Sequence, residues 1–247
     1  MRLDVYLTQN GFCESRNRAS EIIKNGNVFV NGKCINKPSF DVDETKENEI
    51  NVKESENTKY VGRGGLKLEG AINGFKLNVS DCVCADVGSS TGGFTQCLLM
   101  NGAKRVYAID SGKDQLHISL RNDNRVVVME ECNARYLTEE KLGERCDLVT
   151  MDVSFISQTL LYEAVSNIIK DGGLFVSLIK PQFEAGRDGI GKKGIVKDEK
   201  TRQKVCEQIK VKAKEYGFEN LGIIDSPIYG GDGNKEHLAL FKYTEKN

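Results

Sequence analysis

Four charged residues are placed where they could do chemistry together: Lys67, Asp152, Lys180 and Glu236. Asp152 directly follows the apolar run 148–151, and Lys180 follows Leu178-Ile179 and precedes Pro181. Lys67 lies in Gly62-Arg63-Gly64-Gly65-Leu66-Lys67-Leu68, and Glu236 opens Glu236-His237-Leu238-Ala239-Leu240. Two amines and two carboxylates can take, hold and orient a proton if the fold brings them together. A lysine acting as a base must shed its own proton. Burial and a second ammonium favour that loss, neighbouring carboxylates oppose it, and the four groups would titrate as a set. Singly, each is an ordinary surface charge; Lys180 is the least ordinary, set between an apolar run and a proline. The two histidines, His117 and His237, read as structural or surface residues, and a Ser-His-Asp triad would need one of them. The eight cysteines form no C-x-x-C pair, so a zinc ribbon is absent and no metal is expected. Cys82, Cys84 and Cys97 lie in apolar runs and read as small buried hydrophobes, with reduced thiols expected throughout.

The elements that must position these groups alternate. Apolar runs at 82–87, 105–109, 126–129, 148–151 and 174–179 read as strands. Helical periodicity at 157–170 and 199–216 falls among and after them, and 221–224 with 238–243 reads as a terminal hairpin at a sheet edge. Successive β-α units predict an α/β fold with a mostly parallel, Rossmann-like sheet covered on both faces. Ligands bind outside the carboxyl ends of such strands, where Asp152 and Lys180 fall. The stretch Asp86-Val87-Gly88-Ser89-Ser90-Thr91-Gly92-Gly93-Phe94 follows the first of these strands and opens a helix over 94–100. A glycine loop at a helix N-terminus suits close approach of a negative or polar ligand group. Its spacing is not G-x-G-x-x-G, which weakens a dinucleotide reading. The second strand ends at Asp110, about 20 residues beyond the loop, where a carboxylate can accept both hydroxyls of a ribose. Nicotinamide dinucleotides and S-adenosylmethionine are both held this way, so Asp110 alone does not decide between them.

Residues 1–57 read as a separate α+β module, 58–63 as a linker and 64–247 as the larger domain. Leu3, Val5 and Leu7 begin an apolar pattern that Phe12 continues. Ser15 is placed to cap a helix over 16–25 with Ala19, Ile22 and Ile23 on one face, ended by Gly26. Val28-Phe29-Val30 and Lys33-Cys34-Ile35 flank Asn31-Gly32, a strong hairpin signal, and Ile50-Asn51-Val52 reads as a third strand. The 247 residues carry 35 basic and 36 acidic side chains, a net −1, so binding of nucleic acid by bulk charge is excluded. Local charge differs. Residues 1–37 hold six basic against three acidic residues, 38–59 three against seven, and 180–214 eleven against five. Two basic faces are therefore expected, and the glycine-rich stretch 186–194 reads as a mobile clamp beside Lys180. No apolar run approaches the ~18–20 residues of a membrane span, and the start lacks a long apolar stretch. A cytoplasmic location with no membrane partner is expected.

The order Arg2-Leu3-Asp4, Ser15-Arg16, Val30-Asn31-Gly32 resembles the alpha-L RNA-binding module over most of residues 1–55. Lys67, Asp152, Lys180 and Glu236 resemble the K-D-K-E tetrad of FtsJ-like ribose 2′-O-methyltransferases. The whole chain is similar to the TlyA family, some of whose members carry a haemolysin label. The segments that carry this are Val61 to Leu68, Asp86 to Phe94, Asp152-Val153-Ser154-Phe155-Ile156-Ser157, Lys180-Pro181-Gln182-Phe183-Glu184 and Lys235-Glu236-His237. Tyr60 stands where some members carry Trp, and the short N-terminus resembles the subgroup acting on large-subunit RNA. The resemblance implies methyl transfer from S-adenosylmethionine to a cytidine ribose 2′-hydroxyl of ribosomal RNA, with ribosomal RNA or subunits as partners. It implies the cofactor at Asp86, Gly88, Ser89, Ser90, Thr91, Gly92, Gly93, Phe94, Asp110, Asn133 and Asp152. It implies Lys180 as base, Asp152 orienting it, and Lys67 and Glu236 positioning the ribose. RNA contacts are expected from Arg2, Arg16, Arg18, Lys24, Lys33, Arg63, Arg187, Lys192 and Lys193. A pore-forming lysin would need an export signal or an amphipathic membrane stretch, and neither is evident. An RNA chaperone with an inactive domain is argued against by the complete tetrad, and a nicotinamide oxidoreductase by the loop spacing.

Overall fold

Two apolar layers pressed against a twisted sheet account for most of the chain. The computed structural model describes residues 1–13, 16–24, 26–44, 48–52, 59–186, 189–191, 194–231 and 233–245; of residues 17, 18 and 21 it describes the backbone alone. Contacts divide the chain into Met1–Lys59 and Tyr60–Asn247.

The smaller unit contains α1 (Leu3–Gln9), α2 (Arg16–Lys24) and strands β1 (Val28–Val30), β2 (Lys33–Cys34) and β3 (Ile50–Val52). The sheet order is β2-β1-β3, all antiparallel. Asn31 and Gly32 both take positive φ, 51° and 76°, as a two-residue turn between right-twisted strands requires. Leu3, Leu7, Ala19, Ile22, Ile23, Val28 and Val30 form the core of this unit. Phe12 stays exposed rather than continuing the apolar pattern, because α1 ends at Gln9 and the chain turns at Gly11. The expected cap Ser15 lies outside the described residues.

In the larger unit, α3 (Gly64–Phe75) precedes β4 (Val83–Val87), α4 (Gly93–Met100), β5 (Arg105–Ile109), α5 (Ile118–Arg121) and β6 (Val126–Met129). Then come α6 (Glu139–Leu142), β7 (Cys146–Met151), α7 (Tyr162–Ile168), β8 (Ile169–Ile179), α8 (Pro181–Glu184), α9 (Glu199–Glu215), β9 (Phe218–Asp225) and β10 (His237–Tyr243). The sheet order is β6-β5-β4-β7-β8-β10-β9. The first five strands run parallel, and β10 and β9 close the edge antiparallel. One face packs against α7 and α9 through Tyr162, Val165, Ile168, Val205 and Ile209; the other packs against α3 and α4 through Leu68, Ile72, Phe94 and Leu98.

The segment expected as one helix over 157–170 is a 3-10 turn, Gln158–Leu161, then α7, and Ile169 already pairs with Cys146 as strand. Two adjacent apolar residues, Ile168 and Ile169, serve a helix and a strand in turn, so periodicity cannot locate the boundary. Tyr60, expected in a linker, packs with the larger unit: it is buried, and a Cβ at Gly65 would overlap its ring. The Val61 N–H donates to Gln96 Oε1 at 2.7 Å.

Candidate active site

Chain order turns back between β4 and β7. The path runs β4, β5, β6 in one direction and returns to place β7 on the other side of β4. A crevice forms outside the carboxyl ends of strands at such a reversal. Here the loop after β4 and the residue after β7 touch. A Cβ at Gly88, whose φ is +86°, would stand 2.5 Å from the Asp152 carbonyl oxygen, so only glycine fits. The Asp152 N–H donates to the Val87 carbonyl at 3.0 Å, which fixes Asp152 at this point.

All four tetrad residues gather at this end of the sheet. The Lys180 ammonium lies 2.6 Å from Asp152 Oδ1 and donates to Ser154 Oγ at 2.7 Å. The Lys67 ammonium, from α3, donates to Glu236 Oε2 at 2.6 Å, and both side chains are nearly fully buried. The last described pair between β8 and β10 is Ile179 with His237, so Lys180 and Glu236 follow on adjacent strands. Gly64, one turn before Lys67 on α3, brings the other side within reach: a Cβ there would stand 3.8 Å from Asp152 Oδ2. Gly230 packs on Glu236 so closely that a Cβ would be 2.5 Å from Oε1. His237 points to the opposite face, its Nδ1 2.9 Å from Asp225 Oδ1, and takes no part in the tetrad.

A cleft of about 630 Å³ opens beside these groups, within the size range of small-ligand sites. Of the expected cofactor residues, Gly88, Ser90, Asp110, Asn133 and Asp152 line it. The Asp110 carboxylate accepts from the Ser90 N–H at 2.8 Å and the Gly112 N–H at 2.7 Å, one on each oxygen. Each oxygen keeps a further lone pair, as two ribose hydroxyls would require. The loop beyond Asp110 is anchored by Glu130. Its carboxylate accepts from the Asp114, Gln115 and Leu116 N–H groups and pairs with Arg121, whose guanidinium is the main reason the carboxyl is held down at about 2.

The remaining expected cofactor residues are placed differently. Asp86 is sealed beneath the loop rather than facing the cleft. Its carboxylate accepts from Thr95 Oγ1 at 2.7 Å and Thr150 Oγ1 at 3.3 Å, and burial pushes it up to about 7. The physical reason is strand parity and length: β4 runs through Val87, so Asp86 is a sheet residue with its side chain in the interior. Ser89 and Phe94 are buried, and Thr91 is exposed outside the cleft. Gly92 and Gly93 serve packing: a Cβ on Gly93 would stand 2.8 Å from the Gly65 backbone nitrogen, so α3 and α4 approach only because it is absent.

Two residues that chain position did not single out as site residues sit in the cleft, Ser154 and Phe155. Phe155 is 88% exposed with φ +66°, an unfavourable backbone for an aromatic residue costing roughly 1–3 kcal/mol. Its ring lies 5.3 Å from that of Phe183. The only trace in sequence is a large aromatic residue three places after a strand-ending aspartate.

The RNA expectations divide. Arg2 and Arg16 of the smaller unit both reach the buried carboxylate of Asp4, Arg2 through Nε at 3.0 Å and Arg16 through Nε at 3.2 Å. Their guanidinium groups remain about half exposed and fixed in place, and the Arg2 hydrogen bond is the main reason Asp4 sits at about 2. Lys24, Lys33 and Arg63 are exposed. The Arg18 side chain and residues Arg187, Lys192 and Lys193 lie outside the described residues. The basic count on α9 overstates its free charge, since Arg202, Lys210 and Lys212 pair with Glu199, Glu207 and Glu215 on the same helix. Among the described residues, no group of three or more His, Cys, Asp or Glu is arranged to hold a metal ion, and no helix is long and apolar enough to cross a membrane.

Comparison with known proteins agrees with this geometry. The family model for FtsJ-like methyltransferases matches residues 60–243, and that for the S4 domain, the alpha-L module, matches residues 1–48. The chain is 42% identical to Hemolysin A of Brachyspira hyodysenteriae, over 98% of this chain and 99% of that one. It is 41% identical to the 16S/23S rRNA (cytidine-2′-O)-methyltransferase TlyA of Mycobacterium tuberculosis, over 98% of this chain and 89% of that one. A solved structure described as a hemolysin of Streptococcus thermophilus superposes with a TM-score of 0.80 at 42% identity, covering 100% of this chain and 89% of the other.

Proposed function

The chain belongs to the FtsJ-like methyltransferase family, with an S4 domain ahead of the methyltransferase domain, and on that premise we propose that it methylates a cytidine ribose 2′-hydroxyl of ribosomal RNA using S-adenosylmethionine. The observation that carries the reading is the meeting of both ion pairs, Lys180–Asp152 and Lys67–Glu236, at the end of the sheet that also opens the cleft. The M. tuberculosis relative is named for this reaction, which supports cytidine as the nucleotide.

Bound S-adenosylmethionine supplies an electrophilic methyl group on a sulfonium. Asp110 suits its ribose, with two oxygens that each already hold one backbone N–H and can take one hydroxyl more. Gly88 and Ser90 line the cleft, and so does Asn133, the cap of a 3-10 turn. Asp86 acts at one remove, by fixing the loop from below through Thr95 and Thr150.

The RNA hydroxyl is a weak acid and a poor nucleophile, so alignment is the main requirement, and positioning can supply roughly 7–11 kcal/mol. Lys180 takes the 2′-proton, with Asp152 setting the direction of its amine. The buried Lys67–Glu236 pair holds the far side of the ribose site and keeps α3 against β10. Phe155 offers an exposed aromatic face beside the site, suited to stacking on an unstacked base. Arg2 and Arg16, held by Asp4, and the exposed Lys24 and Lys33 would meet phosphates from the S4 domain, and Arg63 from the methyltransferase domain.

Nucleoside analysis by mass spectrometry tests the reading. Purified protein, ribosomal subunits or rRNA, and S-adenosylmethionine should give 2′-O-methylcytidine. Methylation confined to a base, or none on any ribosomal RNA substrate, would overturn it.

A further inference from the structure

We propose that Ser154 is a positioning residue for Lys180, directing the lone pair of the neutral amine toward the RNA hydroxyl. This rests on the reading of Lys180 as the proton acceptor. A neutral lysine amine has two N–H bonds and one lone pair, disposed tetrahedrally around Nζ with the side-chain carbon as the fourth direction. Two groups flank Lys180: Ser154 Oγ accepts its N–H at 2.7 Å, and Asp152 Oδ1 stands 2.6 Å away as an ion-pair partner outside hydrogen-bond geometry. Ser154 seats one N–H bond, and a lone pair cannot face a carboxylate oxygen 2.6 Å away, so it is left in the direction away from both. Without Ser154 no N–H is seated, the amine turns about its terminal bond, and the lone pair sweeps a cone. Ser154 also lines the cleft and is exposed there, so these two groups stand on the side from which substrate must come.

The surrounding structure fixes this arrangement from both ends. Residues 152–158 and residues 180–184 are stapled at one end by the Lys180 contacts. At the other end, Glu184 accepts from Ser157 Oγ at 2.7 Å and from the Gln158 N–H at 2.9 Å. Gln158 is itself buried and accepts from the hydroxyls of Tyr162 and Ser177. Phe155, next to Ser154, is held at φ +66°, and such a backbone persists only where neighbours over-determine it. In the step itself the O–H bond of the ribose breaks and an N–H bond forms on Lys180. The electron pair left on oxygen forms the new bond to the methyl carbon, while the methyl carbon–sulfur bond breaks and its electron pair leaves on sulfur as a neutral thioether. The resulting ammonium then has three N–H bonds, one already seated on Ser154, and its charge is paired with Asp152.

The test compares wild type, Ser154→Ala and Ser154→Thr in the full chain. Ser154→Ala should lower kcat roughly 10- to 100-fold, the scale of a misaligned reacting group, with KM for S-adenosylmethionine and for RNA within about twofold. Ser154→Thr, which keeps the acceptor oxygen, should restore most of the rate. Without cofactor, acylation of Lys180 mapped by peptide mass spectrometry should change several-fold in Ser154→Ala and return toward wild type in Ser154→Thr. A Ser154→Ala variant with wild-type kcat, beside an active wild type, overturns the role of Ser154 alone. A wild type that forms no ribose methylation overturns the underlying reading with it.

Discussion

The two ion pairs of the tetrad use the same residue types at the same end of the sheet, yet they are built for different work. Lys67 and Glu236 are sealed, with 10% and 2% of their side chains exposed. Their bond joins α3 to the start of β10, and Gly230 closes over the carboxylate. Lys180 is as buried as Lys67, with 11% of its side chain exposed, but it donates to an exposed serine, and its partner Asp152 is 19% exposed and lines the cleft. A sealed pair resists loss of either partner, because the charge left behind is buried and uncompensated. A pair that faces a cleft can exchange its proton with a ligand. The difference teaches that position at a strand end selects candidates, while the exposure of the carboxylate partner separates their roles.

Breaking the sealed pair should have the largest effect on folding. Glu236→Ala or Lys67→Ala should cost about 3–5 kcal/mol of stability, read by denaturant melts, since either leaves a buried charge alone. Lys180→Ala should cost less than either, because the partner it leaves behind, Asp152, is 19% exposed against 2% for Glu236 and lines the cleft. Equal losses in both would erase the distinction.

The next effect concerns Asp86, another buried ionisable group beside this site. Its folded-state value of about 7 stands above the usual carboxylate range because of burial. A group raised in this way contributes stability below its unfolded value and loses it as pH climbs through its folded value. Wild type should therefore lose stability between about pH 4 and pH 7 relative to Asp86→Asn. Parallel pH profiles for the two proteins would show that Asp86 is charged in the folded state throughout.

Asp110→Ala should weaken S-adenosylmethionine binding about tenfold or more in calorimetry, near 1.4 kcal/mol, while leaving RNA affinity unchanged. The smallest effect belongs to the S4 unit. Asp4→Asn frees Arg2 and Arg16 from their shared anchor and should lower RNA affinity a few-fold, and the wild-type affinity should fall steeply with salt. A flat salt response would remove the phosphate role.

Much of this was legible in the sequence. Short β-branched and aliphatic runs marked β4 to β7, because strands buried on both faces read as continuous apolar stretches. Asp152, Lys180 and Asp110 were legible from where those runs stop. The orientation of Asp86 was not: the run 82–87 marked it as a strand residue, but not that its side chain turns into the interior beneath the loop. Ser154 was not, because a lone serine carries no signal until its partner in space is known. The charge of α9 was misleading as a sum. Glu199 with Arg202, Glu207 with Lys210 and Lys212 with Glu215 sit three apart, and a helix places such residues side by side.

The central claim is that Lys180 takes the ribose proton while other groups hold the partners in place. Single-turnover methylation of rRNA by Lys180→Ala, with S-adenosylmethionine binding shown intact by calorimetry, tests it most directly. The account predicts a rate about 10²- to 10⁴-fold below wild type, the range of a lost general base. Near-normal methylation by that variant would contradict it.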